Sequence, residues 1–429
     1  LAAVPFWYIS AVPSLLFLTN IGERAYQDAF FVVLFVYALV RGRADWSIPV
    51  LTIWGGWLAY LAWCVLTDSL GAGALFLDPL RTGLLMLLLP WLVGWARDDN
   101  FRRPLAIGFR VAVIVAAAVA AVQVLAFGAP RATGSENALV FATLVSIYGL
   151  FTVHEACVRE RGRPMLWMLL TLIPVMLSGS RTVLVVLLFV FSLLLIRHRR
   201  SVDFRVLFAG LAGAVLFLAV FAAPQIGSRV TDVLDSVPTS EAGWHRFRED
   251  FVGMDFVEPV AGQGESAGDL SHELKDSYKS SLGFRLVFWR TGWEVFLGHP
   301  LVGVGSTQDT LEVGRTLGLG TFFDDRFSHV HNTFLQQLVS GGLPKLVLLL
   351  AALVLPLVCL RPGPAGREPM LFITAALALF GMTNIVLELT VVTFIYTLVI
   401  AYFLAARALP GRTATDGVAR YSESQRGGS

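Results

Sequence analysis

The feature that most constrains this chain is a recurrence of apolar runs near membrane-spanning length, separated by segments that hold most of the charge. A helix needs ~20 apolar residues to cross the hydrocarbon core of a bilayer. With that ruler the runs fall at residues 5–19, 25–40, 46–66, 79–95, 105–128, 138–158, 164–177, 182–197, 206–223, 343–360, 370–384 and 389–409. The chain is 56% hydrophobic and 15% charged, where soluble domains hold about 45–50% and about 25%. The fold class expected is therefore an all-α polytopic membrane protein with about twelve transmembrane helices. The first run is taken as a span, since no small-residue cleavage site leads from it into a soluble domain. Cys64, Cys157 and Cys359 lie in or at the end of apolar runs and read as buried thiols, without CxxC spacing. No basic patch of the nucleic-acid kind occurs. The junction at 178–181 allows two readings, a tight turn between two spans or a break in one long element.

The arginines orient the map. With the N-terminus cytoplasmic, the inside loops carry Arg41 and Arg43; Arg97, Arg102 and Arg103; Arg159, Arg161 and Arg163; Arg197, Arg199, Arg200 and Arg205; and Arg361 and Arg367. The short outside loops carry only Arg24, Arg131 and Arg181. That asymmetry obeys the positive-inside rule and puts both termini inside. Four regions follow: helices one to nine in 1–223, an outer loop subdomain in 224–342, helices ten to twelve in 343–409, and a polar tail in 410–429 that reads as disordered. The outer loop is too long for a simple connection, which marks it as functional. Within it, 228–237 and 281–297 have helical patterns, and the second is rich in Trp and Phe, suited to a membrane interface. Residues 260–276 are Gly-, Ser- and acid-rich and read as a mobile excursion.

The chemistry gathers on the outer face. Phosphate-loop, HExxH and dinucleotide signatures are missing. What remains is His331, together with Arg81, Arg181, Arg285 and Arg290. Guanidinium groups at a bilayer surface suit a phosphate or diphosphate, which they bind bidentately with fixed charge. A histidine beside them can take a proton near neutral pH. Structural roles stand next to these. Arg81 can pair with Asp78 at helical spacing, Arg181 can snorkel or cap, and Arg290 can be a solvated face residue. His329 and His331 would share one face of a strand. No Cys or carboxylate stands at ligand spacing, so neither a metal nor any other cofactor is expected.

The stretch His331-Asn332-x-x-Leu335-x-x-Leu338, followed by Gly341 and Gly342 and an apolar span, resembles the motif closing the large periplasmic loop of the O-antigen ligase and polymerase superfamily. Arg285-Leu-Val-Phe-Trp289 and the turn His299-Pro300-Leu301-Val302-Gly303-Val304-Gly305 resemble that superfamily's arginine–tryptophan helix and its Pro-Leu-x-Gly-x-Gly turn. Ser180-Arg181-Thr182 is similar to its earlier Ser-Arg-Ser/Thr site. The matches span 178–350, and the chain departs from the pattern at Ser340, where the superfamily often has an acid.

The resemblance implies a GT-C-like fold and a glycosyltransferase of the bacterial inner membrane, most like an O-antigen ligase. Its partners would be an undecaprenyl-diphosphate-linked glycan, lipid A–core oligosaccharide and the bilayer. In that reading His331 is the general base, and Arg181, Arg285, Arg290 and Arg81 bind the diphosphate. Asn332 orients the acceptor or caps the following helix, and Glu388 positions His331 or an arginine. An O-antigen polymerase and a protein O-oligosaccharyltransferase would use the same donor. A lipid-glycan transporter is the reading from another class. It calls for ionisable groups near mid-membrane, for which Arg110 in the fifth run is the main candidate.

Overall fold

The computed structural model describes residues 36–37, 40, 42–71, 85–134, 137–159, 164–199, 281–317, 329–363, 366–387 and 389–407. The expected first and ninth spans, nearly all of the second, the loop helix at 228–237, the excursion at 260–276, the tail, Arg81 and Glu388 lie outside these residues.

The described residues are helical and contain no strand. The elements are α1 (Ile48–Gly71), α2 (Leu89–Ala96), α3 (Asp99–Ala121), α4 (Ala138–Arg159), α5 (Pro164–Leu177), α6 (Arg181–Arg197), α7 (Ser281–Gly298), α8 (Asp309–Leu317), α9 (Thr333–Cys359), α10 (Arg367–Gly381) and α11 (Thr390–Arg407). A π-turn, Val122–Ala126, extends α3. Among them α1, α3 with its π-turn, α4 and α9 are long and apolar enough to cross a membrane, and α5 and α11 are shorter apolar helices. The junction at 178–181 is a tight turn between α5 and α6, made possible by Gly179 at φ 67°. The expected run 105–128 begins earlier, at Asp99, because Asp98 caps the helix by accepting a hydrogen bond from the Asn100 amide.

Helix α4 is the hub. It is almost wholly buried and packs on α3, α5, α6, α10 and α11. Helices α1, α3 and α9 instead leave apolar stripes exposed: Leu51 and Leu58, Ile107, Val111 and Ile114, and Val347, Leu350, Val354 and Val358. Side chains of this kind at three- and four-residue spacing suit lipid contact on the outside of a bundle.

The contacts sort the helix ends into two sets that agree with the arginine map. One end joins Asp68 to Ser306, Ala132 to Leu177, Ser180 to Ala138, and Thr333 to Asn384. The other joins Arg97 to Asp45 and His198 to Glu368. Every described residue of the motifs belongs to the first set.

The glycine-rich turn and the head of α9 form one backbone unit. The helix runs ten residues further toward its N-terminus than the apolar run beginning at 343 and is bent at Gly342 (φ 70°, ψ −172°). Pro344 has no amide to bond the Ser340 carbonyl, and the bend frees neighbouring groups. The turn after α7 takes them up: Val304 and Gly305 donate to the Val339 and Ser340 carbonyls at 2.9 Å, and the Leu343 amide donates to Pro300 at 2.8 Å. The Trp63 indole donates to the Gly341 carbonyl at 2.8 Å. A Cβ on Gly303 (φ 68°) would strike the backbone of Val339–Gly341, and one on Gly342 would strike Pro300 and Leu301. Gly303→Val and Gly342→Ala are each expected to lower stability by about 2–4 kcal/mol, from the left-handed penalty of ~1–2 kcal/mol plus the clash. Thermal unfolding in detergent checks this, and an unchanged melting point in both variants would contradict the backbone fit.

Candidate active site

Helix α7 presents Arg285, Phe288, Trp289 and Gly292 on one helical face. That face meets the head of α9, where Gly292 lets the helices close against Leu335 and Val339. His331 precedes α9 and lies parallel to the Phe288 ring, with centroids 6.2 Å apart and 8° between the planes. Its backbone φ of 54° is the sole positive value for a non-glycine among the described residues. Such strain persists where surrounding contacts over-determine it and gathers at functional sites. Here the anchors are the next two residues. Asn332 accepts from the Phe334 and Leu335 amides at 3.0 and 3.1 Å, and Thr333 bonds Asn384 and Val386 through its amide and hydroxyl.

Burial pushes the His331 pKa below its ordinary 6.5, and the nearby Arg285 cation lowers it further, while a hydrogen bond from its ring to the Asn384 side chain opposes both. His331 is thus neutral, and so basic, at neutral pH. His329, with its ring 4.3 Å away, is pushed down to about 4 by burial and by His331, which makes it the weaker base. Burial also lowers the Arg285 pKa. The His331 Nδ1 and Trp289 Nε1 atoms are both buried without a hydrogen-bond partner among the described residues. Native proteins rarely leave such groups unmet.

The structure brings Arg285 and His331 together. Arg290 lies on α7, where its Nε donates to the Glu294 carboxylate at 3.2 Å. Arg181 is the exposed first residue of α6, at the same end of the bundle but on the α4–α5–α10 side. Arg131 packs beside Gly179 in the same turn. Helix α10 contacts both α6 and α9, and so links the two halves. Asn332 occupies the N-cap of α9. Asn332→Ala is expected to cost about 1 kcal/mol, whereas Asn332→Asp keeps both the cap and the stability. Transfer that collapsed in a stable Asn332→Asp would assign the amide an acceptor-orienting role in addition to the cap.

A buried polar cluster under the site has no counterpart in the sequence reading. Lys345, only 2% exposed, donates to the Ser306 and Ser340 hydroxyls at 3.0 and 2.8 Å, and the Ser306 amide donates to Asp68 at 2.6 Å. Ser340, at the position often acidic in the superfamily, therefore accepts from a lysine. Gln336 receives the Val330 amide and donates to Asp309, and the Tyr60 hydroxyl donates to Gln337 at 2.7 Å. Lys345, not Arg110, is the deeply buried cation among the described residues. Arg110 is half-buried, with its guanidinium 5.9 Å from the Trp167 ring. An isolated charge inside an apolar run was the available signal.

Among the described residues these features are those of a multi-pass, all-helical membrane protein in which an arginine and a histidine meet at one end of the bundle. Residues 166–350 match the family model described as O-antigen ligase, so this stretch is similar to the O-antigen ligase and polymerase superfamily. The match runs from α5 into α9 and contains Arg181, α7, the glycine-rich turn and His331. No curated protein matches the chain.

Proposed function

We propose that the protein is an O-antigen ligase that transfers a glycan from undecaprenyl diphosphate to a sugar hydroxyl of lipid A–core at the periplasmic face of the inner membrane. One observation carries the reading: a half-buried arginine set against a strained histidine kept neutral, inside the O-antigen ligase match. In the reaction His331 takes the proton of the acceptor hydroxyl as its oxygen attacks the anomeric carbon. The bond from that carbon to the diphosphate oxygen breaks, and the configuration inverts. Negative charge gathers on undecaprenyl diphosphate, where Arg285 meets it with a preorganised fork and needs no metal. Arg181, with Arg81 and Arg290, would hold the remaining phosphate oxygens. Glu388 would position the site from the segment between α10 and α11. The loop 224–342 would form the outer subdomain over the donor, whose polyprenyl tail stays in the bilayer because each CH₂ moved into water costs about 0.8 kcal/mol.

The test is reconstituted transfer with purified protein, an undecaprenyl-diphosphate-linked glycan and lipid A–core. Glycan appearing on lipid A–core supports the ligase. Folded protein that instead lengthens the lipid-linked glycan, or glycosylates a protein, would replace it with the polymerase or the protein O-oligosaccharyltransferase.

A further inference from the structure

At the end of the bundle away from His331, three side chains from three helices converge. They are His154 on α4, His198 just after α6 and Glu368 in the first turn of α10, with ligand atoms all within 4.8 Å of one another. Two ligands on one zinc stand up to about 4 Å apart, given bonds of ~2.0–2.2 Å. Small side-chain shifts therefore close the cluster on an ion.

Two further details favour an ion over a simple His–Glu pair. The His198 Nε2 and Glu368 Oε1 atoms lie 2.8 Å apart, yet both are buried with no aligned hydrogen bond. Two ligand atoms that aim at a common point, not at each other, produce that geometry. The second detail is that Arg197 reaches the other oxygen, Glu368 Oε2, at 3.5 Å, so Oε1 stays available. The His154 and His198 rings meet edge-on at 5.5 Å and 81°. Cys157 lies one turn along α4 from His154 but outside this cluster of three.

We propose that His154, His198 and Glu368 bind a divalent zinc-like cation, with a water as the fourth ligand. Two imidazoles and one carboxylate make a nitrogen-rich N/O set, of the kind that suits zinc better than magnesium or calcium, which prefer oxygen ligands. The ion would clip α4, α6 and α10 together. The same three helices carry Arg181 and lead into Asn384 at their opposite ends. The clip is structural. His198 and Arg181 lie 17 residues apart along α6 and its cap, which is roughly 25 Å at the helical rise, so the ion stands apart from the transfer chemistry.

The experiment uses the full chain in detergent with any affinity tag removed. It is equilibrated with Zn²⁺, desalted and assayed for metal, and then loaded with Co²⁺ for visible absorption. One zinc per chain, a tetrahedral Co²⁺ spectrum, and at least about a tenfold loss of affinity in His198→Ala and Glu368→Gln support the site. The melting point should rise with Zn²⁺ in the wild type and stay flat in His198→Ala. No retained zinc in the wild type, or equal zinc in His198→Ala, overturns it. If His198→Ala fails to fold, the wild-type stoichiometry and the Co²⁺ spectrum still decide. Glycan transfer that persists in zinc-free Glu368→Gln fits a structural clip. Transfer lost in that variant while its melting point stays unchanged would contradict one.

Discussion

His331→Ala is expected to lower glycan transfer by about 100- to 10,000-fold, the usual contribution of a positioned general base, while the chain still folds. The contacts that anchor this corner belong to Asn332, Thr333 and Asn384 and survive the change. Alanine keeps the strained backbone at φ 54°, and glycine relieves it. His331→Gly should therefore be more stable than His331→Ala, by up to about 1–2 kcal/mol, and still be inactive. That pairing of gained stability with lost transfer separates a chemical role from a packing role. His329→Ala should cost far less, because a ring pushed down to about 4 is a poor base at neutral pH. Near-normal transfer in either His331 variant, measured in the reconstituted assay beside a melting curve, would remove the histidine from the mechanism.

The legible part of the fold was the part written in periodicity and charge. Apolar runs of bilayer length and arginines on alternate connections gave the helix directions, and every described contact between helix ends respects that alternation. Helix starts were less legible. The stretch 333–342 reads as loop because its glutamines, serine and glycines break the apolar pattern, yet Asn332 caps a helix there and Gln336 and Gln337 are buried in hydrogen bonds. In the site, Arg285 and His331 were visible as motif residues. Asn384 was not, since nothing in the short segment between α10 and α11 signals that it folds back onto the head of α9. Lys345 lay hidden in an apolar run whose hydropathy it hardly alters. The glycines were recognised as a pattern, but the reason for them, backbone meeting backbone between the turn at 300–305 and the bend at Gly342, needed three dimensions.

Arg285 carries the other large effect. Arg285→Ala should lower transfer by about 100- to 1,000-fold, the cost of removing one preorganised partner of a developing oxyanion. Arg285→Lys should recover only part of it, since an ammonium retains the charge without the bidentate fork. The pH profile gives a second readout that a packing defect would not reproduce. Arg285 disfavours the protonated form of His331. Removing the cation in Arg285→Gln therefore raises the histidine pKa, and the acid limb of the residual activity moves to higher pH. Asn384→Leu removes the hydrogen bond that favours the protonated ring, so its acid limb moves to lower pH. Opposite displacements in the two variants would tie arginine, asparagine and histidine into one titrating unit. Limbs that coincide with the wild type in both would mean that His331 does not set the pH dependence, and the base would have to be sought among other residues.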